Sequence, residues 1–407
     1  MTITSPNPGS GNSRHSRWQS GRLTRVLATA LMLAGAITAF GLARALAAPA
    51  GCQNWTGTQP ANPGGVGNTL DSVAIESACD AWAVGFQTGS ATNATLTEHW
   101  DGIAWTVVPS PAPGSYSVLR SVRGTSPSDV WAVGSYDAGT MNKTLILHWD
   151  GHAWTQVTSP SPGGTDNELF GVRAVSGTDA WAVGYDITSG STDQTLILHW
   201  DGNAWTRVAS PSPGTAGTVL EAVAGTSSTD AWAVGASFTA STEKTLTLHW
   251  NGHKWAQVAS PSRGTDDVLY AVRSTSGTDT WAVGLSVIGG VHQTLALHWN
   301  GSTWTRVTTP DPGGPGVSND LVGVAGTSAN DVWAVGSTGP SGSAKAITRN
   351  GTLILHWDGS GWTHVPSPGP GISSELFAVA ASSAGNIWAV GESSDGRTDH
   401  TLAVHCC

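Results

Sequence analysis

The sequence has little charge and few of the residues that mark enzymatic or metal centres. Charged residues make up 11% of the 407 positions, and there are only four Cys, three Met, four Tyr and five Phe. It contains no C-x-x-C pair, P-loop, G-x-S-x-G or H-E-x-x-H motif, so the common zinc, nucleotide and hydrolase signatures are missing. No stretch between the repeats described below has the period of a long amphipathic helix. These absences favour an all-β protein that needs no metal or cofactor.

Residues 1–48 have the features of an export signal. Four Arg residues precede an apolar run, and the small-residue sequence "ALAAPAG" follows from Ala45. The four are Arg14, Arg17, Arg22 and Arg25. The apolar run, Val26–Ala43, has 18 residues, so a membrane-anchoring helix is an alternative. A lipid attached at Cys52 is a second alternative, although the preceding "PAG" is a poor match to the sequence that lipoprotein processing prefers.

We therefore predict that residues 49–407 are secreted or extracytoplasmic, with attachment to the cell surface left open and no membrane insertion after signal cleavage. Removing residues 1–47 leaves 13 basic and 28 acidic residues, a formal net charge of −15. Such a charge repels nucleic acids and anionic lipid head groups. We therefore expect the partner to be a protein or a glycan, and we expect the chain itself to be a monomer. Cysteines in an exported chain point to disulfides.

The phrase Trp-Ala-Val-Gly occurs seven times. Its copies begin at Trp82, Trp131, Trp181, Trp232, Trp281, Trp333 and Trp388. The steps between them are 49 to 55 residues, and a period near ~50 is the length of one four-stranded propeller blade. Each repeat reads as four segments, L-x-x-V, D-x-W-A-V-G, T-L-x-L-H-W and W-T-x-V. We predict a seven-bladed β-propeller over residues 49–407, with four antiparallel strands in each blade.

The residues between the segments predict the turns. Asp-Gly or Asn-Gly pairs, such as Asp201-Gly202, follow the third segment and are hairpin turn sequences in which Gly adopts positive φ. Stretches such as Ser210–Gly214, "SPSPG", cannot continue a strand because Pro has no N–H, so they mark the passages between blades. These passages and the loops between second and third segments are predicted to share one face, and the short turns the opposite face.

Both ends of the repeat region are incomplete. Trp55 begins a fourth segment that has no first three, and the last repeat ends at Cys407 after its third segment. The N-terminal strand is therefore predicted to complete the last blade and close the ring, which leaves no exposed strand edge. Cys52 falls at the place of the missing turn Gly, so a bridge to Cys406 or Cys407 is predicted, with Cys79 taking the remaining cysteine. A strained Cys406–Cys407 bridge and lipid attachment at Cys52 are the alternatives.

The repeats resemble those of kelch propellers. In that family a hydrophobic strand ending in Gly is followed by a strand, a short turn and a spaced Trp, which here are "WAVG", "TLILHW", "DG" and "AWT". The resemblance covers residues 52–407, and this chain has a single Gly where the family usually shows two. It implies a propeller whose first segments are the innermost strands and face a central channel.

A His and an Asp or Asn each recur at one position of the repeat. They are His99, His148, His199, His249, His298, His356 and His405, and Asp80, Asp129, Asp179, Asp230, Asp279, Asp331 and Asn386. With strands about 4.8 Å apart, equivalent His residues of adjacent blades lie roughly 13 Å apart, too far to share one zinc ion. We predict that each His is hydrogen-bonded within its own blade and that each Asp caps a turn.

Three first segments carry an Arg after the Val, where the other four carry Ala. These are Arg123, Arg173 and Arg273. Facing the channel, three arginines can clamp a carboxylate, and they resemble the arginine cluster of sialidases. No Tyr nucleophile paired with Glu is evident, and solvated or ion-paired channel residues are the alternative. The four Tyr have no His pattern beside them, which argues against a copper site like that of galactose oxidase.

The loop between second and third segments varies in length. It has nine residues in most repeats, as in Ser135–Lys143, and fifteen in the sixth, Ser337–Gly351. Binding residues concentrate in variable loops on rigid scaffolds, so we predict that Ser337, Lys345 and Arg349 contact a partner. The predicted function is non-catalytic binding of a protein or glycan through this face. The alternative is a glycan-directed enzyme, sialidase- or lyase-like, that uses the channel arginines.

Overall fold

The structure, a computed structural model, describes residues 54–188, 192–340 and 350–406. Regular secondary structure within these ranges consists of β-strands alone. This part of the chain contains no helix of the length and apolarity needed to span a membrane. The predicted export signal, residues 1–48, lies outside the described residues.

Six repeats each supply a first, a second, a third and a fourth strand, and the last repeat supplies the first three. The first strands are β2 (Gly67–Ser77), β6 (Ser117–Ser126), β10 (Asp166–Ser176), β14 (Gly217–Ser227), β18 (Asp267–Ser276), β22 (Val317–Ser328) and β26 (Ser373–Ser383). The second strands are β3 (Asp80–Thr88), β7 (Asp129–Asp137), β11 (Asp179–Ile187), β15 (Asp230–Phe238), β19 (Asp279–Ile288), β23 (Asp331–Pro340) and β27 (Asn386–Ser394).

The third and fourth strands are shorter. The third strands are β4 (Asn93–Trp100), β8 (Asn142–Trp149), β12 (Asp193–Trp200), β16 (Glu243–Trp250), β20 (Val291–Trp299), β24 (Gly351–Trp357) and β28 (Asp399–Cys406). The fourth strands are β5 (Trp105–Val107), β9 (Trp154–Gln156), β13 (Trp205–Arg207), β17 (Trp255–Val258), β21 (Trp304–Val307), β25 (Trp362–Val365) and the N-terminal β1 (Trp55–Thr58).

Within a repeat the strands pair antiparallel in the order first, second, third, fourth. Five repeats form separate four-stranded sheets, and the remaining eight strands form one sheet. In that sheet β26, β27 and β28 are followed by β2 to β5 through one parallel pair, Gly67 with Asp399, and β1 pairs with β28. The predicted all-β fold of repeated four-stranded antiparallel sheets is confirmed.

Alternation of large and small side chains explains how neighbouring sheets pack. Trp181 faces the following repeat, where its ring centroid lies 5.0 Å from that of Trp250 and 5.2 Å from that of Trp255. Ala182, the next residue in the strand, faces the preceding repeat and packs in a cluster with Trp131. A small residue on one face therefore leaves room for the neighbour's Trp, as the period-two pattern predicted.

The same packing joins the last repeat to the first. The ring of Trp388 lies 5.0 Å from that of Trp100. First strands contact one another in sequence along the chain, and β26 contacts β2. In the N-terminal strand, Trp55 lies opposite Cys406 and packs edge-on against Trp333 of the sixth repeat, with ring centroids 5.6 Å apart.

Every first strand contains a β-bulge after its Leu. In β10 the register shifts between Leu169 and Gly171, so Phe170 is the extra residue of the bulge. The Gly of Trp-Ala-Val-Gly packs beside this bulge, because a Cβ at Gly184 would lie 1.9 Å from the carbonyl oxygen of Glu168. Close approach of the two strands therefore requires a residue without a side chain at this position.

The Asp-Gly turns form as predicted. Gly202 has a φ of 93°, and Asp201 Oδ1 accepts the backbone N–H groups of Asn203 and Ala204 at 2.8 and 2.9 Å. Five other turn glycines, Gly102, Gly151, Gly252, Gly301 and Gly359, have φ values between 88 and 94°. The turn sequences therefore fix the connection between third and fourth strands.

The Ser-Pro passages have a role that the sequence analysis did not predict. The Thr195 hydroxyl hydrogen-bonds to the Ser210 and Ser212 hydroxyls at 2.7 and 2.9 Å. In most repeats the Ser residues thus tie the passage back to the third strand of the same repeat, while Pro ends the strand. We call the face with these passages and the second-to-third-strand loops the loop face, and the opposite one the short-turn face.

Candidate functional site

A cavity runs between the first strands and is lined by residues from all seven of them. It contains about 510 Å³ of empty space, including space open to solvent. The bulge residue of each first strand, which the strand register skips, lines it. We call these residues the bulge ring: Asp71, Arg120, Phe170, Glu221, Tyr270, Val322 and Phe377.

Neighbouring first strands approach closely just after the bulge. A Cβ at Gly171 would lie 2.9 Å from the Cα of Ala222 in the next repeat. Ser72 Oγ accepts the backbone N–H of Val122 at 3.1 Å, which links the first two repeats. Only Ser, Gly or Ala occupies this position in the repeats, so the bulge ring is held on closely packed, rigid strands.

One part of the bulge ring is a buried ion-pair network. Arg120 Nη1 lies 2.9 Å from Asp71 Oδ2, and its Nε lies 3.3 Å from Glu168 Oε1. Burial raises the pKa of both carboxyls, and the charge of Arg120 opposes that rise. The pKa of Arg120 lies above its usual range because the two carboxylate charges outweigh the effect of burial. Arg120 is therefore a charged structural centre of this wall.

Glu221 is the other acidic member of the bulge ring. Burial, and then the charge of Glu168, raises its pKa to about 8, while Arg120 opposes the rise. At neutral pH the group is mostly protonated, so it can donate a hydrogen bond to a ligand in the cavity.

The remaining bulge residues give the cavity an apolar wall. Tyr270, Val322 and Phe377 are each partly exposed, and Phe170 is buried against Tyr185 with ring centroids 5.8 Å apart. An apolar wall with a few fixed polar groups is the usual composition of a ligand site. The bulge ring therefore combines both kinds of contact at one place.

The three predicted channel arginines lie three residues after the bulge and nearer the short-turn face, and Arg123 alone of the three lines the cavity. Each donates to a backbone carbonyl of a neighbouring repeat: Arg123 Nη1 to Val73 at 2.8 Å, Arg173 Nε to Gly225 at 3.2 Å, and Arg273 Nε and Nη2 to Gly326 at 3.3 and 3.2 Å. Burial, and then the charges of Arg173 and Arg273, lowers the pKa of Arg123 to about 10. The three side chains are therefore close enough to repel one another. A carboxylate bound between them stays a prediction.

The predicted loop residues lie differently from the expectation. Ser337 is within β23, where it pairs with Asp320 on one side and Thr352 on the other. The strand continues to Pro340, so the predicted loop Ser337–Gly351 began too early. The wrong boundary has a physical reason, because Ser, Thr and Gly after Trp-Ala-Val-Gly are turn formers that backbone pairing overrides here. Lys345 and Arg349 lie outside the described residues.

The cysteines require one correction. Cys79 is an exposed free thiol in the short turn before β3, so the second bridge that the sequence analysis assigned to it is absent. Cys406 is fully buried and is disulfide-bonded. Cys52 and Cys407 lie outside the described residues, and the bridge from Cys52 stays a prediction.

The recurring His and Asp side chains pair within each repeat. In six repeats His Nε2 lies 2.6 to 3.1 Å from Asp Oδ1, and in the last His405 Nε2 lies 3.0 Å from Asn386 Oδ1. Each ring also packs on a Trp, as His199 does on Trp181 with centroids 4.2 Å apart. Across the described ranges, no group of three or more His, Cys, Asp or Glu side chains is arranged to hold a metal ion. The predicted hydrogen bonds are present.

Sequence analysis missed the bulge ring. The signal was the residue after the Leu of L-x-x-V, because this position carries six residue types while its flanking Leu and Val are the same in all seven repeats. A period-two pattern gives no warning of a bulge, so the pattern alone did not show that this position faces a cavity.

No family model and no curated protein matches the sequence. Several solved structures are similar to it. YCF48 bound to a D1 peptide matches with a TM-score of 0.52 at 16% identity, over 88% of this chain and 99% of that one. The WD40 β-propeller domain of Doa1 matches with a TM-score of 0.54 at 13% identity, over 86% and 96%. A polysaccharide lyase of family PL25, an ulvan lyase bound to -[GlcA(1-4)Rha3S]-, matches with 0.51 at 10% identity, over 85% and 95%.

These likenesses and the repeated four-stranded sheets define the class of protein, a β-propeller. The neighbours include peptide-binding and glycan-active propellers, so the fold by itself leaves both classes of function open. The resemblance to kelch repeats stays a prediction, because no family model matches the chain.

Proposed function

We propose that this chain is an exported, monomeric, seven-bladed β-propeller that binds a protein partner at its loop face and performs no catalysis. The bulge ring carries this proposal. Its seven positions line one cavity with six residue types, whereas the Leu and Val of the first segment are the same in all seven repeats and its remaining position always carries a small residue. Variation confined to a cavity wall favours a ligand-specific surface on a repeated scaffold.

Ring closure with seven blades is supported by contacts at both ends of the chain. Trp388 of the last repeat packs against Trp100 of the first repeat, just as Trp82 packs against Trp149 between two consecutive repeats. Thr401 of β28 receives polar contacts from the passage after β1, with its N–H donating to Asn62 Oδ1 at 2.8 Å. This repeats the Thr-to-passage contact of the internal repeats, with β1 as the fourth strand of the last blade.

The chemistry of the cavity favours a protein segment as the partner. Phe377, Val322 and Tyr270 offer apolar contact, and Glu221 offers a hydrogen bond, which together suit a side chain with its adjoining amides. A similar propeller, YCF48, has been solved with a bound peptide. The net charge of −15 over residues 48–407 disfavours nucleic acid as a partner.

The proposal is tested with a displayed library of random peptides selected on the whole protein. Selected peptides are synthesised, and their affinities are measured by calorimetry for Glu221→Ala, Phe377→Ala and the parent protein. We expect each cavity variant to weaken binding by about tenfold, equivalent to ~1.4 kcal/mol. His152→Ala, an exposed change on the short-turn face, is the matched control. Equal binding by all four proteins would contradict a site at the bulge ring.

The variable loop is tested separately. Residues 337–351 are replaced by the nine-residue segment Ser135–Lys143, which connects the same two strands in the second repeat. We expect an unchanged melting temperature and altered affinity for the selected peptides. Unchanged affinity would remove Ser337, Lys345 and Arg349 from the site.

A glycan-directed enzyme is the second candidate. The observations that favour it are the three channel arginines, which can hold a uronic or sialic acid carboxylate, and Glu221, whose pKa of about 8 suits a general acid. A panel of sialosides, glycosides and polyuronates decides between the two. If the parent protein turns over one of these substrates and both Arg173→Ala and Glu221→Gln lose that activity, the protein is an enzyme and the non-catalytic proposal is wrong.

A further inference from the structure

We infer that the short-turn end of the channel is a second site, which binds an oxyanion between Arg123, Arg173 and Arg273. The ligand class is phosphate, sulfate or carboxylate. The site adjoins the bulge ring, because Arg123 lines the same cavity, and it lies nearer the short-turn face, because the arginines follow the bulge residues by three positions in strands that run toward that face.

The first argument is exposure. The residue after the Val of a first segment is Arg in three repeats and Ala in the other four, which are Ala74, Ala224, Ala325 and Ala380. Ala74, Ala224 and Ala325 are buried in the clusters between neighbouring sheets. All three arginines are partly exposed, and Arg123 lines the cavity. The arginine side chains are therefore accessible to a ligand at a position where alanine is mostly buried.

The second argument is uncompensated charge. Arg120 and Arg207 are both paired with carboxylates, at 2.9 Å from Asp71 and from Asp186 respectively. Within the described ranges, Arg123, Arg173 and Arg273 form no such pair, and their side-chain hydrogen bonds go to backbone carbonyls. Three guanidinium charges with no carboxylate partner are costly in a partly buried channel, and a bound anion removes that cost.

Glu76 is the nearest acidic group. Its charge acts on Arg123 and Arg173, but burial and the charge of Asp80 raise its own pKa to about 7. Glu76 is thus partly protonated at neutral pH and offsets the three arginines incompletely. Its carboxyl is also held by the backbone N–H of Gly124, which fixes it beside the strand.

The third argument is the number of unused donors. A guanidinium group has five N–H donors. Arg173 uses Nε and Arg273 uses Nε and Nη2, both toward a backbone carbonyl. The forked nitrogens that remain match the paired oxygens of a phosphate, sulfate or carboxylate, which an ammonium group does not. An anion held this way also ties the second, third and fifth repeats together.

The test measures thermal unfolding and calorimetric binding of the whole protein with sulfate, phosphate and acetate, at ionic strength held constant with sodium chloride. Sulfate and phosphate stabilise many proteins by exclusion from their surface, so only the saturable part of the response is informative. We expect a saturable rise in melting temperature in the parent protein. We expect Arg173→Ala to lose it and to weaken binding about tenfold, or ~1.4 kcal/mol. Arg263→Ala, an exposed loop change, is the matched control.

Two further variants complete the test. Glu76→Gln retains an acceptor for Gly124 and removes the competing carboxylate, so it should tighten anion binding. Arg273→Lys should weaken it even if Arg173→Ala fails to fold. The site is supported if the parent protein responds saturably to one of the three anions and Arg273→Lys or Arg173→Ala reduces that response. The anion that gives the response identifies the ligand class. No saturable response in the parent protein, or an equal response in the arginine variants and Arg263→Ala, overturns it. Peptide binding is measured in a separate experiment on Glu221 and Phe377, so failure of the anion site and failure of the peptide site are distinguishable.

Discussion

The indole of Trp388 packs against that of Trp100, with ring centroids 5.0 Å apart. Trp82 packs against Trp149 in the same manner, with centroids 4.7 Å apart. The first contact joins the last repeat to the first, and the second joins two consecutive repeats. The contact between the last and the first repeat, which are far apart in sequence, therefore has the same geometry as the contact between two consecutive repeats.

Ring closure is tested by comparing two equivalent tryptophans. In a closed ring, Trp100→Ala and Trp149→Ala should lower the free energy of unfolding by similar amounts, about 2–4 kcal/mol each, because each removes the same half-buried ring. Urea unfolding monitored by circular dichroism measures both. A loss from Trp100→Ala much smaller than that from Trp149→Ala would mean that the first and last repeats do not support each other.

A disulfide from Cys52 is expected to lock the N-terminal strand to β28. The predicted bridge closes a loop of more than 350 residues, for which chain entropy gives roughly 4–5 kcal/mol as an upper figure. Non-reducing peptide mapping should recover Cys52 linked to Cys406 or Cys407, and Cys52→Ser should lower the melting temperature. Cys79→Ser is the control, because Cys79 is free and exposed. Recovery of Cys52 as a free thiol or as a lipidated residue would refute the bridge.

The pairing of Asp279 with His298 is expected to stabilise its repeat without metal. The two atoms are 2.6 Å apart, so Asp279→Ala should cost ~1–3 kcal/mol by leaving the His Nε2 without its acceptor. Asp279→Asn should cost less, because the last repeat already uses Asn386 with His405. Thermal unfolding with and without a chelator completes the experiment. A fall of several degrees on chelation would mean that a metal supports these residues.

Glu98 is expected to make the protein less stable as pH rises. Its side chain is fully buried where equivalent repeats have Leu or a similar apolar residue, and it accepts the N–H of Ala61 at 3.1 Å. Burial raises its pKa from 4.5 to about 7. A carboxyl whose pKa is raised in the folded state does not lower the free energy of unfolding below pH 4.5, where it is protonated in both states. Between pH 4.5 and 7 it lowers the free energy of unfolding increasingly, by about 3 kcal/mol at most.

Glu98→Gln tests this dependence, because it keeps an acceptor for Ala61 and removes the ionisation. The variant should be more stable than the parent at pH 8, and the two should converge near pH 4. Denaturant midpoints measured across this range check the expectation. Parallel pH profiles for the two proteins would assign the titration to other groups.

Gly184 is expected to tolerate no side chain. A Cβ there would lie 1.9 Å from the carbonyl oxygen of Glu168, so Gly184→Ala should cost more than ~2 kcal/mol as the bulge is forced to move. Gly177→Ala is the control, since its nearest contact would be 3.5 Å away and the residue is exposed. Chemical unfolding of both variants measures the difference. Similar stability for both would show that the bulge adapts easily.

Much of the fold follows from local chemistry. Asp201-Gly202 specifies a turn because Gly adopts positive φ at little cost, and Ser210–Gly214 ends a strand because Pro has no N–H. Alternation of Trp181 and Ala182 specifies which faces nest. The strand ends were harder to predict, and β23 runs through Ser337 because pairing with β22 and β24 outweighs the preference of Ser and Gly for turns.

The candidate site was predicted only in part. Arg123, Arg173 and Arg273 were identified because a long charged residue replaced Ala at one position of an otherwise uniform repeat. Glu221 and Phe377 were missed because a bulge moves a residue out of the strand's alternation, and nothing in the period-two pattern marks that change.

The sequence by itself determined the repeat, its turns and the alternation that lets one sheet nest on the next, because these depend on residues close together in the chain. Tertiary structure alone decided that seven bulge residues from separate repeats line one cavity and that Arg120 is neutralised by Asp71 and Glu168 while Arg123, Arg173 and Arg273 are not. The reason is that charge compensation and burial depend on side chains about fifty residues apart in sequence, which only the assembled sheets bring within a few ångströms.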